Sequence, residues 1–346
     1  MDSRVIFPFR TGLISGGSEP ASRQSDKLEF SVGSGIFPEC KIYEINQYIC
    51  NMGTIEKILM TGASGFVGSR VASALKGNYK LITPSHKEFD ITSEEEAEKF
   101  IQDSRPDVIL HLAAISNTGY CEEHPEESYL VNVTGVENLA KAAAMHGAKF
   151  VFFSSDQIYN GNLETGLLTE DLPVLPENHY GRHKLLAEER AAAICPDSIA
   201  LRATWMYDAQ RPGMKTHNNF VLNFKNAIEN GTPLKFATRE FRGITWVDDV
   251  VKNIPYTFYL PGGTYNFGAE NTLSTYETAL EYARILELNA EEMVIADTER
   301  FPAHVRNISI SMKKAFEASE GKICFKNTID GLKDYISQSN DKMFTL

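Results

Sequence analysis

Thr61-Gly62-Ala63-Ser64-Gly65-Phe66-Val67-Gly68 decides how the rest of the chain is read. The apolar run 57–61 reads as a buried strand and 66–75 as a helix, so glycines at three-residue spacing sit on a strand-to-helix turn. On such a turn each glycine has a task. Gly62 permits the tight turn, Gly65 lets backbone approach a pyrophosphate, and Gly68 lets helix and strand pack closely, while the helix N-terminus faces the anion. Glycines alone often mark ordinary turns, and this spacing differs from G-x-G-x-x-G. The flanking strand and helix nevertheless make Gly62, Ser64, Gly65, Phe66, Val67 and Gly68 a candidate dinucleotide cradle.

Working outward, strand and helix patterns alternate. A strand is expected over 79–83, and a helix through Ile101 opened by Thr92 or Ser93 with Glu95 or Glu96 as a capping box. A strand at 107–112 follows, then a long helix over 125–146 ended by Gly147. A strand at 150–153 runs into Ser154-Ser155-Asp156, a helix starts at Tyr180, and a strand covers 198–202. This alternation predicts right-handed βαβ units and a doubly wound parallel α/β sheet within residues 52–204. From residue 205 the pattern is mixed, with a helix at 218–230, a strand at 233–237 and an amphipathic helix at 274–288. Residues 205–346 are therefore expected to form a smaller mixed α/β lobe that binds substrate and returns to the sheet through 263–268. Residues 1–51 lack a persistent period and read as a flexible N-terminal extension, with Met52 near the domain start. The alternative is a small ordered cap with 41–45 as a strand.

The chain has 346 residues, 42% hydrophobic, which is ample for a large core, and no apolar run approaches a membrane span. A net charge of −12 argues against a nucleic-acid binder but leaves room for an anionic ligand held by backbone amides and a few local cations. Five cysteines, odd in number and without metal-ligand spacing, favour a reducing compartment, hence the cytoplasm, and no metal site.

Tyr180 and Lys184 stand four apart, on one face of the expected helix. Downstream of a dinucleotide turn, that pair suggests nicotinamide-dependent carbonyl chemistry, in which a phenol beside an ammonium exchanges the proton while the cofactor exchanges hydride. Lys184 and the oxidised nicotinamide are expected to lower the phenol pKa. Ser155, rather than Ser154, is expected to hold the substrate oxygen. His111 reads as a strand residue with a satisfied imidazole. The second strand ends at Thr83-Pro84-Ser85-His86-Lys87 with no acid at its tip, where a NAD site usually places one. Ser85 and Lys87 are thus candidates for a 2′-phosphate, and NADP(H) is favoured over NAD(H).

Several further stretches, with those above, resemble the extended short-chain dehydrogenase/reductases, and within them the dTDP-4-dehydrorhamnose reductase branch. They are FDIT at 89–92, HLAA at 111–114, EEHPEESYLVNVTGVENLAKAA at 122–143, FFSSDQIYNG at 152–161, YGRHKLLAE at 180–188 and LRATWMYD at 201–208. The resemblance implies a Rossmann-type fold and reduction of a nucleotide-linked 4-keto sugar. By position it implies that Asp90 and Ile91 hold the adenine, that Ala113 and Ala114 run along the cofactor, and that Asn132 lies behind the active site. It makes Ser155, Tyr180 and Lys184 the catalytic set. Trp205 shapes the sugar pocket or simply packs, and Arg306 resembles a residue near the sugar nucleotide, though Val305 precedes it and no Pro follows. Glu122 and Glu123 read as surface residues, although acids there lie near a dimer contact in this branch, so a homodimer is possible. Ser-Ser-Asp-Gln-Ile-Tyr stands where the branch has Ser-Thr-Asp-Tyr-Val-Phe, which bears on the substrate. Two alternatives stay open: an epimerase or dehydratase of the same superfamily, though no Glu follows Asp156, and a non-catalytic subunit resembling the regulatory subunit of methionine adenosyltransferase.

Overall fold

Ile58, Leu59 and Met60 are fully buried in strand β1 (Lys57–Thr61), because a strand covered on both faces has no polar side to alternate with. The computed structural model describes residues 54–338; the expectation for residues 1–51 lies outside them. In chain order β2 (Lys80–Ile82), β3 (Val108–His111), β4 (Lys149–Ser155) and β5 (Ile199–Ala203) follow. Then come β6 (Trp205–Tyr207), β7 (Leu234–Ala237), β8 (Glu240–Phe241), β9 (Ile244–Trp246), β10 (Gly263–Phe267), β11 (Val294–Asp297) and β12 (Arg306–Asn307).

One six-stranded sheet runs β10-β5-β4-β3-β1-β2, with every neighbouring pair parallel. Successive residues of the buried strands feed opposite faces. Ile109, Phe150 and Phe152 pack with Val136, Leu139, Ala140 and Ala143 of the helix Gly135–His146. Leu110 and Val151 pack on the other face with Val71 and Leu75 of the helix Phe66–Leu75 and Val250 and Ile254 of the helix Val247–Thr257. The second cluster continues without a break into Phe220, Phe224 and Tyr282, so residues after 205 share a core with β1. Those residues also form three short parallel pairs, β6 with β9, β7 with β11 and β8 with β12, and donate β10 to the main sheet.

Local chemistry accounts for most boundaries. Ser93 caps the helix Glu94–Ser104 by accepting from Glu96 N, but Glu96 reaches Asp90 N instead of closing the box. The box closes at Ser274 and Glu277 of the helix Thr275–Ile285, where both reciprocal bonds form. Gly147, at φ 71°, ends its helix as expected. The long helix expected over 125–146 is interrupted: Pro125–Tyr129 and Gly135–His146 are α-helical, and Leu130–Thr134 between them is a π-turn with one extra residue.

Candidate active site

Between β1 and β3 the strand order reverses, which is where a doubly wound sheet generally leaves a crevice beyond its strand ends. The glycine turn leaves β1 there and Ala113-Ala114 leave β3. A Cβ on Gly62, whose φ is +71°, would lie 2.5 Å from Ala113 N, so only glycine lets the two segments pass. A Cβ on Gly68 would lie 2.0 Å from Gly62 O, which means this glycine admits the helix against the turn itself. Gly65 differs. Its Cβ would meet Gly62 O at 3.1 Å and nothing else within 4 Å, so its outer side is open. The helix Phe66–Leu75 starts there with no side-chain cap and no acid in its first turn, leaving N–H groups for an anion. Ser64 is exposed beside them and Val67 half-buried, while the Phe66 ring is held by Arg70 at 4.2 Å and by His217 edge-on at 4.1 Å.

The tip of the second strand departs from expectation. Glu88 folds back so that its Oε2 accepts from both N and Oγ of Ser85, each at 2.8 Å, and these bonds hold its carboxyl below the usual range. An acid therefore does stand at this tip, and the Ser85 hydroxyl is committed to it. The signal was legible as Ser-x-x-Glu over 85–88, the spacing used elsewhere for caps. Lys87 is exposed on the same turn. Asp90, also exposed, accepts from Thr92 N at 2.9 Å and Thr92 Oγ1 at 2.7 Å, while Ile91 is buried under Gly135.

Asn132, on the π-turn, is fully buried, and its amide grips the chain beyond β3. Oδ1 accepts from Ile115 N at 3.0 Å and Nδ2 donates to Ile115 O at 2.9 Å. That grip shapes the segment carrying Ala113 and Ala114, and it leaves Asn132 no exposed atom for a ligand. His111 is only half satisfied: Nδ1 lies 2.7 Å from Thr61 Oγ1, but Nε2 is buried without a partner. Burial and the charge on Lys184 push this imidazole down to about 3, so it stays neutral.

Asn178 caps the helix His179–Ile194 by accepting from Gly181 N at 2.7 Å, which places Tyr180 and Lys184 in its first two turns. Both are buried, facing the end of β4. Lys184 Nζ donates to Phe153 O at 2.8 Å and lies 5.8 Å from the centre of the Tyr180 ring. Burial pushes Lys184 down to about 8, opposed by Glu188 one turn on, whose own carboxylate is paired with Arg202 at 2.7 Å. The Ser155 hydroxyl donates to Asp156 Oδ1 at 3.2 Å and lies beside the Tyr180 phenol. Ser154 Oγ is buried without a partner. The phenol itself stands above its ordinary value, because burial raises it more than the neighbouring Ser155 hydroxyl lowers it, and Asp156 and Cys121 raise it further.

Toward the chain's end a cavity of about 270 Å³ is walled by Trp205, Phe220 and Phe236 and edged by Lys235, Arg242 and Arg300. Trp205 is thus beside open space. Arg306 does not line it, but donates to cavity-lining Glu240 through Nη1 and to Gln157 Oε1 through Nη2 at 2.8 Å. Arg242 and Glu240 were not foreseen. Glu240 opens the two-residue strand β8 and Arg242 follows it; the strand's partner β12 lies 66 residues on, and no local pattern signals that pairing. Asp156 completes the link, accepting from Arg242 Nη2 at 3.3 Å.

The model for the family described as RmlD substrate binding domain matches residues 56–337. The chain belongs to that family. It is accordingly an NAD(P)-dependent oxidoreductase within the extended short-chain dehydrogenase/reductases, with the parallel-sheet fold of that group. A spore coat polysaccharide biosynthesis protein of Bacillus subtilis is 26% identical over 285 residues, covering 82% of this chain and 97% of the relative. A dTDP-4-dehydrorhamnose reductase of Aggregatibacter actinomycetemcomitans is 28% identical over 233 residues, 65% of this chain and 77% of that one. Among solved structures, a dTDP-4-dehydrorhamnose reductase of Clostridium acetobutylicum is similar at a TM-score of 0.70 and 29% identity, covering 81% of this chain and 98% of that one. No helix among the described residues is long and apolar enough to cross a membrane.

Proposed function

We propose that this protein reduces the keto group of a nucleotide-linked sugar, of the kind named in its dTDP-4-dehydrorhamnose reductase relatives. The observation that carries the reading is the convergence of Ser155, Tyr180 and Lys184 at the end of β4, next to the open glycine turn. The open side of Gly65 and the uncapped helix behind it fit a dinucleotide pyrophosphate. A bound reduced nicotinamide supplies the hydride. Ser155 Oγ holds the carbonyl oxygen and Tyr180 Oη gives it a proton. The Lys184 ammonium then steadies the phenolate, which matters because burial makes that phenolate costly. The cationic, aromatic-walled cavity fits a nucleoside diphosphate, with its base between rings and its phosphates near Arg242, Lys235 and Arg300. The odd-numbered, dispersed cysteines of the sequence favour a reducing compartment, which we take to be the cytoplasm.

The test is oxidation of added NADPH with a dTDP-4-keto sugar. One NADPH consumed per sugar is expected. Conversion of a nucleotide sugar without net consumption would assign an epimerase, and binding without conversion a regulatory role.

NADP(H) remains our proposed cofactor, with exposed Lys87 meeting the 2′-phosphate and Glu88 opposing it. Lys87→Glu should weaken NADPH binding about tenfold or more while NADH binding stays near its wild-type value, because a cation becomes a repelling anion. Glu88→Gln should shift the preference further toward NADPH. Calorimetric titration of both cofactors decides; equal affinities in the wild type, unmoved by either change, would rule the assignment out.

A further inference from the structure

Asp156 is a buried acid beside Ser155 to which the mechanism above gives no task. Its Oδ1 accepts from Ser155 Oγ at 3.2 Å and Gln157 Nε2 at 3.5 Å, and its Oδ2 from Arg242. The charged and titratable groups facing it are Arg242 beyond β8, Arg306 on β12 and Tyr180 on the helix His179–Ile194. Burial pushes its carboxyl up, and the two guanidinium groups pull it back down. These two cations are not equally held. Arg306 is fixed between Glu240 and Gln157. Arg242 has a single contact with Asp156, lies over the Trp205 ring at 5.2 Å, lines the cavity, and keeps a buried Nε without a partner.

We propose that Arg242 moves its charge from Asp156 to an anionic phosphate entering the cavity, and that Asp156 then takes a proton from solvent and reverses its hydrogen bond with Ser155. This rests on reading the cavity as the nucleotide subsite. An ionised carboxylate only accepts hydrogen bonds, so in the free protein the Ser155 hydroxyl proton is committed to Asp156. Once protonated, Asp156 donates to Ser155 Oγ, and the Ser155 proton is free for the substrate oxygen. One proton passes from solvent to the carboxyl, the Arg242 contact and the direction of the Ser155 hydrogen bond change with it, and no other covalent bond forms or breaks. Substrate binding at the nucleotide thus arms the hydrogen-bond donor at the keto group, with Arg242 and Asp156 as positioning residues.

The measurement is calorimetric binding of dTDP to the full chain at pH 7, in two buffers that differ in ionisation heat. Wild type should take up about one proton per dTDP bound. Asp156→Asn should bind dTDP with about one proton fewer taken up. Because Lys184 and the dTDP phosphate titrate in both proteins, that difference isolates Asp156. Arg242→Gln, which leaves Asp156 without this counter-charge before binding, should also lose the uptake and bind more weakly. Binding by wild type without uptake, or equal uptake by wild type and Asp156→Asn, overturns the proposal alone. No dTDP binding by wild type overturns the cavity reading as well.

Discussion

Tyr180→Phe is expected to lower turnover by about 10²-fold or more, the scale on which a positioned general acid acts. The change removes one oxygen from a buried ring and leaves the helix, its Asn178 cap and the glycine turn as they are. Dinucleotide affinity should therefore stay within a few-fold. Ser155 would still hold the substrate oxygen, so binding of the keto sugar should suffer less than its conversion. Steady-state kinetics with NADPH, beside a direct cofactor titration, separates the two quantities. A variant that keeps near-normal kcat would remove Tyr180 from the proton-donor role.

Lys184→Met should abolish most turnover and yet make the protein harder to unfold at neutral pH. Lys184 loses its proton near 8 in the folded protein, against 10.5 ordinarily. Between those values the unfolded chain binds the extra proton, so this group's contribution to stability rises with pH across that window. Below about 8 the cost of the buried ammonium is present in full. Methionine fills similar space without a charge, at the loss of the hydrogen bond to Phe153 O. A net gain of about 1–3 kcal/mol at pH 7, or a few degrees in Tm, is the expected size. The gain should shrink as pH approaches 10. Thermal unfolding of both proteins from pH 6 to 10 checks the size and the slope. A loss of stability at pH 7, or a difference that does not vary with pH, would contradict the picture of a lysine kept against its own solvation for chemistry.

What could be read from the sequence was whatever depends on neighbours along the chain. The apolar run at 57–61 has no polar alternation, and it became a central strand. Gly62 needed no partner to be recognised, since strand, turn and helix are contiguous around it. Tyr180 and Lys184 share a helical face by spacing alone. The misread and unread details depend on contacts that spacing does not state. Glu88 returning to Ser85 turns an apparently acid-free strand tip into one with an acid. The phenol of Tyr180 responds to burial, which a sequence shows only indirectly. Arg242 and Glu240 matter because β8 meets β12 and because Asp156 lies near enough to receive a guanidinium. His111 looked self-sufficient, yet one of its nitrogens faces no partner.

The π-turn at Leu130–Thr134 also bears on how this chain can drift in length. A helix advances about 100° per residue, so one residue removed within that turn could restore regular winding only by rotating the segment before it relative to Gly135–His146. The latter is pinned by Leu139 and Ala143 in the core, so Pro125–Tyr129 and the Ser128 hydroxyl, 2.9 Å from His183 Nδ1, would have to turn. Single-residue deletions between 130 and 134 should therefore be purged from descendants of this gene. In the exposed run near residue 164, by contrast, no helical phase is at stake: a change of length there costs the bonds from Asn307 Nδ2 to Glu164 O at 3.0 Å and Gly166 O at 2.8 Å, not the rotation of a helix.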